Sequence, residues 1–343
     1  MTTVVGWDLG GANVKLALVE DARVRHVAQL PCPILPSPAK FDAAVAAALE
    51  LIPAPALHAV TMTGELSDVF ANREEGVAYL VHLMRQVTFG QPLLVYGGRA
   101  GWLEADAAVS RWRDVASANW HASARLAARD CGDGLLVDVG TTTTDLVPLR
   151  AGAPACEGYS DGERLAEGEL IYAGVVRTPV MAMARRVPFQ GRAQRIAAER
   201  FATMADVYRL TGELPDDADP YPTADQRGKS SEESAARLAR MLGRDTSEGD
   251  RADWVEVARH FAQCQSTALE DAARTLVARE ALGPDAPIIG AGCGRFLTKR
   301  LAQALAHPYR DFAELIEVDP DARDMAACCA PAAAMALLAE RNR

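Results

Sequence analysis

The sequence predicts a mixed α/β protein of two lobes, and three observations lead there. A short pattern occurs twice: Val4 to Leu18, with Asp8 and Gly10-Gly11 at its turn, returns loosely as Leu135 to Val147, with Asp138 and Gly140. Between and after these segments, short β-type apolar runs alternate with alanine-rich stretches of helical period. The length of 343 residues exceeds one ordinary compact core and suits two lobes.

Each copy of the pattern is an apolar run ending in Asp, one apolar residue, a glycine, a small polar turn and a second apolar run. That order predicts a β-hairpin with a tight glycine-bearing turn. Two such hairpins, about half a domain apart, point to facing loops that can grip one phosphorylated ligand.

The remaining elements follow in order. Leu30 to Pro38 is proline-rich and reads as a loop, and Phe41 to Leu51 as a helix. His58 to Thr63 is a short strand running into Gly64-Glu65-Leu66-Ser67-Asp68. Asn72 to Val87 sets Val77, Leu80, Val81, Met84 and Val87 on one side of a helix. Pro92 to Tyr96 is a strand closed by Gly97-Gly98, and Asp114 to Arg129 is an alanine-rich helix leading into the second hairpin.

From Gly158 to about Asp250 the pattern changes. Helical pieces at Arg192 to Thr211 and Glu232 to Leu242 flank a polar, acidic, proline-broken loop, Glu213 to Lys229. Such a loop reads as an insertion that shapes substrate choice. Trp254 to Leu282 is a long amphipathic helix. Pro287 to Gly294 is a strand entering a glycine-rich turn, Arg295 to Leu305 a helix, and Met325 to Glu340 a final helix dense in alanine.

A hydrophobic content of 49% with 24% charged residues describes a globular protein. The net charge of −10 argues against a nucleic-acid or anionic-membrane partner. It leaves a phosphorylated ligand open, because backbone N–H groups and metal ions bind phosphate whatever the global sign. The N-terminus runs straight into the strand Thr3 to Leu9, so no secretion signal is expected. No stretch approaches the roughly 18 apolar residues of a membrane span. Seven cysteines without C-x-x-C spacing predict reduced thiols and a cytoplasmic location, and six isolated histidines argue against zinc.

The order of the pieces resembles the actin-like ATPase (ASKHA, ribonuclease H-like) superfamily of sugar kinases, Hsp70 and actin. There a phosphate hairpin, a connecting helix, a second phosphate hairpin, a glycine-rich adenosine segment and a second connecting helix succeed one another. Here these correspond to Val4 to Leu18, Val115 to Arg129, Leu135 to Leu149, Pro287 to Phe296 and Met325 to Glu340. The resemblance implies a lobe I of residues 1–130, completed by 325–343, and a lobe II of 131–324. Lobe II then carries the helical insertion at about 158–250 and the adenosine-type segment 287–296.

Within the superfamily, Asp138-Val139-Gly140-Thr141-Thr142-Thr143-Thr144-Asp145 looks like the hydantoinase A and oxoprolinase branch. The segments Gly6 to Lys15, Met62 to Leu66 and Gly168 to Thr178 resemble the hydantoinase-like proteins of the tetrahydromethanopterin-linked C1-transfer pathway. That resemblance implies a transferase of methanofuran-type cofactor assembly. It would join an (aminomethyl)furan-methyl diphosphate to the phenol of a γ-glutamylated tyramine or tyrosine and release diphosphate. An ATP-dependent small-molecule kinase, a hydantoinase/oxoprolinase-like amide hydrolase and a nucleotide-gated regulator are the rival readings. Ala12-Asn13 stands where kinases of the superfamily usually carry Thr or Ser, which weighs against ordinary kinase chemistry.

A diphosphate leaving group needs donors and a metal fixed in advance. Gly10, Gly11 and Gly140 let the backbone approach phosphate, Asn13 can hydrogen-bond it, and Thr141, Thr142, Thr143 and Thr144 offer hydroxyls. Asp8 and Asp138, with Asp145 closing the second motif, have the hard oxygens that suit Mg²⁺. Lys15 supplies a point positive charge. Glu65, at a strand end, is the candidate base for the phenol proton, and the planar fork of Arg177 suits a substrate carboxylate. Gly290, Gly292 and Gly294 would face a nucleotide, which keeps an ATP/ADP site open beside Mg²⁺. The partners expected are these small molecules, with a homo-oligomer left open. Each residue also has a plain structural alternative: turn aspartates, strand threonines, a solvated lysine, a helix-start glutamate, packing glycines, an arginine paired with a neighbouring acid. Cys293 reads as an inert small residue of the core.

Overall fold

Strand β1 (Thr3–Leu9) alternates Val5, Trp7 and Leu9 onto one face and Val4, Gly6 and Asp8 onto the other. In the computed structural model, which describes residues 3–32, 37–53, 57–88 and 90–342, it turns into β2 (Asn13–Glu20) and continues into β3 (Arg23–Pro31). Asp21 and Ala22 both take left-handed backbone (φ 52° and 58°), the conformation a two-residue type I′ hairpin turn requires. β3 is absent from the sequence reading because Arg23, Arg25 and His26 mask its apolar alternation. It also takes in Leu30 and Pro31, the start of the expected loop; residues 33–36 of that loop lie outside the described residues.

The chain then forms α1 (Ala39–Leu49), β4 (Leu57–Met62), α2 (Arg73–Val87), β5 (Leu93–Tyr96), β6 (Trp102–Leu103) and α3 (Ala105–Ser110). The helix expected over Asp114 to Arg129 is two pieces, α4 (Trp112–Val115) and α5 (Asn119–Cys131). Ser117 breaks it with φ 54°, a conformation that costs energy in a residue other than glycine. Next come β7 (Gly134–Val139), β8 (Thr144–Arg150), β9 (Ala153–Pro154), α6 (Asp161–Ala166) and β10 (Leu170–Ile171).

The helix expected over Arg192 to Thr211 is mostly something else. β11 (Arg186–Phe189) and β12 (Arg192–Arg195) form a hairpin through Gln190 and Gly191, at φ 48° and 75°. Only α7 (Met204–Thr211) is helical there. Turn chemistry at Gln190-Gly191 overrides the helix propensity of the Arg- and Ala-rich run. After the irregular stretch 213–229, α8 (Ser231–Met241), α9 (Arg251–Arg279), β13 (Ile288–Ala291), α10 (Arg295–Leu305) and β14 (Tyr309–Asp311) follow. The last expected helix is bent by 108° at Cys329, into α11 (Arg323–Cys328) and α12 (Ala330–Glu340). Pro331, near the start of α12, fits a first helical turn but not the middle of one long helix. Among the described residues no single helix is long and apolar enough to cross a membrane.

The chain divides into two compact units, one of Met1–Leu136, Val147–Glu167 and Arg310–Arg343, the other of Val137–Leu146 and Gly168–Tyr309. In the first, a six-stranded sheet has the order β3-β2-β1-β4-β5-β6. β1 is antiparallel to β2 and parallel to β4, and β4 is parallel to β5. Val5, Trp7, Leu9, Leu16, Val60 and Met62 pack with Phe41 and Val45 of α1 and Val77, Leu80 and Met84 of α2. On the opposite face α12 packs against β1 so closely that a Cβ on Gly6 would collide with the Ala332 carbonyl. The second sheet runs β10-β8-β7-β13-β14, with β9 on β8, and in the second unit α7 and α8 pack with α9.

Candidate active site

β1 delivers Asp8 two residues before the first glycine turn. Asp8 lies opposite Lys15 on β2 and opposite Thr61 on β4, so the three side chains share one face of the sheet. Asp8 is buried, and the Lys15 ammonium stands 3.6 Å from its Oδ2. The turn closes with the Gly10 N–H donating to the Asn13 carbonyl at 3.0 Å. A Cβ on Gly11 would lie 2.9 Å from Ser67 Oγ, so the turn rests on the segment after β4. The Thr63 N–H, donating to the Leu9 carbonyl at 3.1 Å, ties the two together. Asn13 Oδ1 and Thr61 Oγ1 are buried without a hydrogen-bond partner among the described residues. Buried orphan oxygens of this kind call for a water, an ion or a ligand.

Glu65 sits in the short turn Gly64–Leu66 at the end of β4, only 1% exposed. Ser117 Oγ donates to its Oε1 at 3.0 Å, while Oε2 is buried without a partner among the described residues. Burial pushes the Glu65 carboxyl up to about 7; hydrogen bonds and Arg73 oppose the rise, and the nearby Asp161 carboxylate adds to it. Asp161 is itself held by Arg73 Nη2 at 3.1 Å and lies 3.4 Å from Ser117 Oγ. Gly76 of α2 passes directly beneath: a Cβ there would come within 2.6 Å of Glu65 Cα. Ser117, Asp161, Arg73 and Thr61 are absent from the sequence reading. Ser117 is 52 positions from Glu65 and reaches it only because the helix breaks at its strained backbone. The one local signal near Asp161 is the capping box of Ser160 and Glu163 at the start of α6, which predicts a helix and no site.

In the second unit β7 ends at Asp138-Val139, and the Gly140 N–H donates to the Thr143 carbonyl at 2.9 Å. Residues 174–177 strap this turn. The Gly174 N–H donates to Thr142 O (3.0 Å), Val175 N–H to Gly140 O (3.0 Å), and Val176 and Arg177 N–H to Thr141 O (3.1 and 2.8 Å). Thr141, Thr142 and Thr143 are half-buried at the turn. Thr144 is fully buried and donates its hydroxyl to the Ala173 carbonyl at 2.8 Å. Asp145, half-buried, lies opposite Leu170. Arg177 is exposed.

The glycine-rich turn after β13 packs on this hairpin. At φ 81°, Gly292 has room for no side chain, since a Cβ would strike Val139 O and Asp138 Oδ1. The Gly294 N–H donates to Val139 O at 2.8 Å, and a Cβ on Gly290 would lie 2.7 Å from the Tyr309 hydroxyl. All three glycines thus serve close packing in this fold, and Cys293 between them is half-buried. Asp8, Lys15, Gly10, Gly11, Asn13 and Glu65 therefore belong to the first unit, and the other expected site residues to the second. Among the described residues no three His, Cys, Asp or Glu side chains gather as a ready-made metal cage. Single carboxylates such as Asp8 and Asp138 fit Mg²⁺ all the same, because that ion keeps waters and shares ligand phosphates.

This architecture is the actin-like ATPase fold. The chain shares it with acetone carboxylase, in the nucleotide-free structure of an ATP-dependent acetone carboxylation system (TM-score 0.58, 9% identity, 89% of this chain and 68% of that one). The profile of the hydantoinase/oxoprolinase family matches residues 56–341, and the chain belongs to that family. It is similar to the (4-{4-[2-(γ-L-glutamylamino)ethyl]phenoxymethyl}furan-2-yl)methanamine synthase of Methanocaldococcus jannaschii, 29% identical over 242 residues, 70% of this chain and 71% of the relative. The synthase of the same name from Methanococcus vannielii is 27% identical over 127 residues, 37% of this chain and 57% of that protein.

Proposed function

We propose that this protein is a transferase of methanofuran-type cofactor biosynthesis. It condenses an (aminomethyl)furan-methyl diphosphate with the phenol of a γ-glutamylated tyramine or tyrosine, forming an aryl ether and releasing diphosphate. The names of the two related synthases support the substrate class. The observation that carries the chemistry is Glu65: a buried carboxyl raised to about 7, at a glycine turn, with its Oε2 unsatisfied among the described residues.

An ordinary carboxylate is too weak a base for a phenol. Raised toward neutrality, Glu65 can accept the phenolic proton as the oxygen attacks the furan-methyl carbon. The carbon–oxygen bond to diphosphate breaks and its electron pair leaves with diphosphate. The ring delocalises positive charge on that carbon, so holding and orienting both partners is the protein's main task. The turns at Gly10-Gly11 and at Gly140 to Thr143 are the proposed phosphate cradles, each offering backbone N–H groups. Asp8 in the first unit and Asp138 in the second are each proposed as a carboxylate that would hold Mg²⁺, which would neutralise charge on the leaving diphosphate. Lys15 fixes the Asp8 carboxylate and adds positive charge on the same sheet face.

The test combines purified protein, Mg²⁺, the furan-methyl diphosphate and γ-glutamyltyramine without ATP, and looks for the ether by mass spectrometry. Ether formed only when both substrates are present supports the proposal. A strict need for ATP overturns it in favour of an ATP-dependent kinase or amide hydrolase of the same fold.

A further inference from the structure

The polar stretch 213–229 is pinned from beneath. Asp219 pairs with Arg209 and with Lys229, whose ammonium is 3.7 Å away. Arg237, 1% exposed, binds Asp206 at 2.7 Å and Asp225 at 3.0 Å and donates to the Gly228 carbonyl at 3.1 Å. These ion pairs make the stretch a wall of a small pocket that also takes in Arg177, Arg200, Thr203, Tyr221 and Thr223.

The acids in the pocket wall are all matched: Asp206 by Arg237 and Arg209, Asp219 by Arg209 and Lys229. Arg177 and Arg200 differ. Both are exposed, and among the described residues neither makes an ion pair. In a chain of net charge −10, two uncommitted guanidinium groups on one pocket are a local positive excess. The backbone of Arg177 is fixed to the second hairpin turn by its N–H on Thr141 O, so the pocket adjoins a proposed phosphate cradle.

We infer that this pocket selects the acidic end of the acceptor, with Arg177 and Arg200 receiving the α-carboxylate of its γ-glutamyl group. This rests on the reading of the chain as a user of a γ-glutamylated phenol. The planar forks of two arginines match a carboxylate. Asp206 and Asp219, already ion-paired, still keep negative charge in the same wall, which disfavours a purely anionic occupant such as diphosphate.

Calorimetric titration of the full chain with γ-glutamyltyramine, tyramine and inorganic diphosphate tests the assignment. The wild type should bind γ-glutamyltyramine at least about tenfold more tightly than tyramine, the worth of one charge-assisted hydrogen bond. Arg200→Gln should remove most of that preference and Arg200→Lys only part, with diphosphate affinity unchanged in both. The inference is overturned if Arg200→Gln weakens diphosphate and spares the preference, or if the wild type shows no preference. The two readings fail separately. Arg200-dependent binding of γ-glutamyltyramine without ether formation upholds the pocket and sinks the transfer reaction. Ether formation with an undiminished preference in Arg200→Gln does the reverse.

Discussion

Replacing Glu65 by Gln should flatten the pH dependence of folding stability around neutrality. The carboxyl moves from 4.5 to about 7 on folding, chiefly through burial. At about 1.4 kcal/mol per tenfold change in proton affinity, keeping Glu65 ionised in the fold costs about 3 kcal/mol. The sign follows from where the protons are. Well below 4.5 both states are protonated and the cost is absent. Between 4.5 and about 7 the unfolded chain gives up its proton while the fold keeps it, so stability falls as pH rises. Above about 7 the full cost is present. Gln keeps the shape and the Ser117 hydrogen bond but cannot ionise. Its new amide hydrogens lack a partner, a penalty that does not vary with pH. Urea denaturation at intervals from about pH 5 to about pH 8 should show the wild type losing about 2.5 kcal/mol relative to the variant across the range, the rest of the cost having accrued below pH ~5. The reasoning is refuted if the two proteins share one pH slope.

Two more variants probe the supports of the site. Gly76→Ala places a methyl 2.6 Å from Glu65 Cα, so a loss of about 1–3 kcal/mol is expected in denaturant unfolding, together with loss of ether formation. Arg237→Ala leaves the Asp206 carboxylate buried without its 2.7 Å partner. Removing one member of such a pair costs about 3–5 kcal/mol, readable as an earlier midpoint in the same titration.

The parts of this fold that the sequence discloses are those set by local chemistry. Both hairpins follow from an apolar run meeting Asp-x-Gly, α10 from a clean helical period after a glycine turn, and α9 from a long amphipathic stripe between Trp254 and the residues after Leu276. Glu65 is visible as a candidate because it stands at a strand end. What gives Glu65 its character is not visible. Ser117 is read as the interior of one helix, and only tertiary packing makes it a break whose hydroxyl reaches the carboxyl. Asp161 and Arg73 join the same cluster from distant positions. Cys329 likewise hides a sharp bend inside an alanine-rich run whose propensity favours one continuous helix. The hairpin at Gln190-Gly191 is lost for the opposite reason, a turn signal outvoted by helix-forming neighbours.

The central claim is that diphosphate leaves as an ether forms, without ATP. Phosphorus-31 NMR of the complete reaction, with ATP present as a bystander, measures this directly. The account predicts inorganic diphosphate appearing mole for mole with ether while the ATP resonances hold constant. ADP and orthophosphate accumulating in step with product would contradict it.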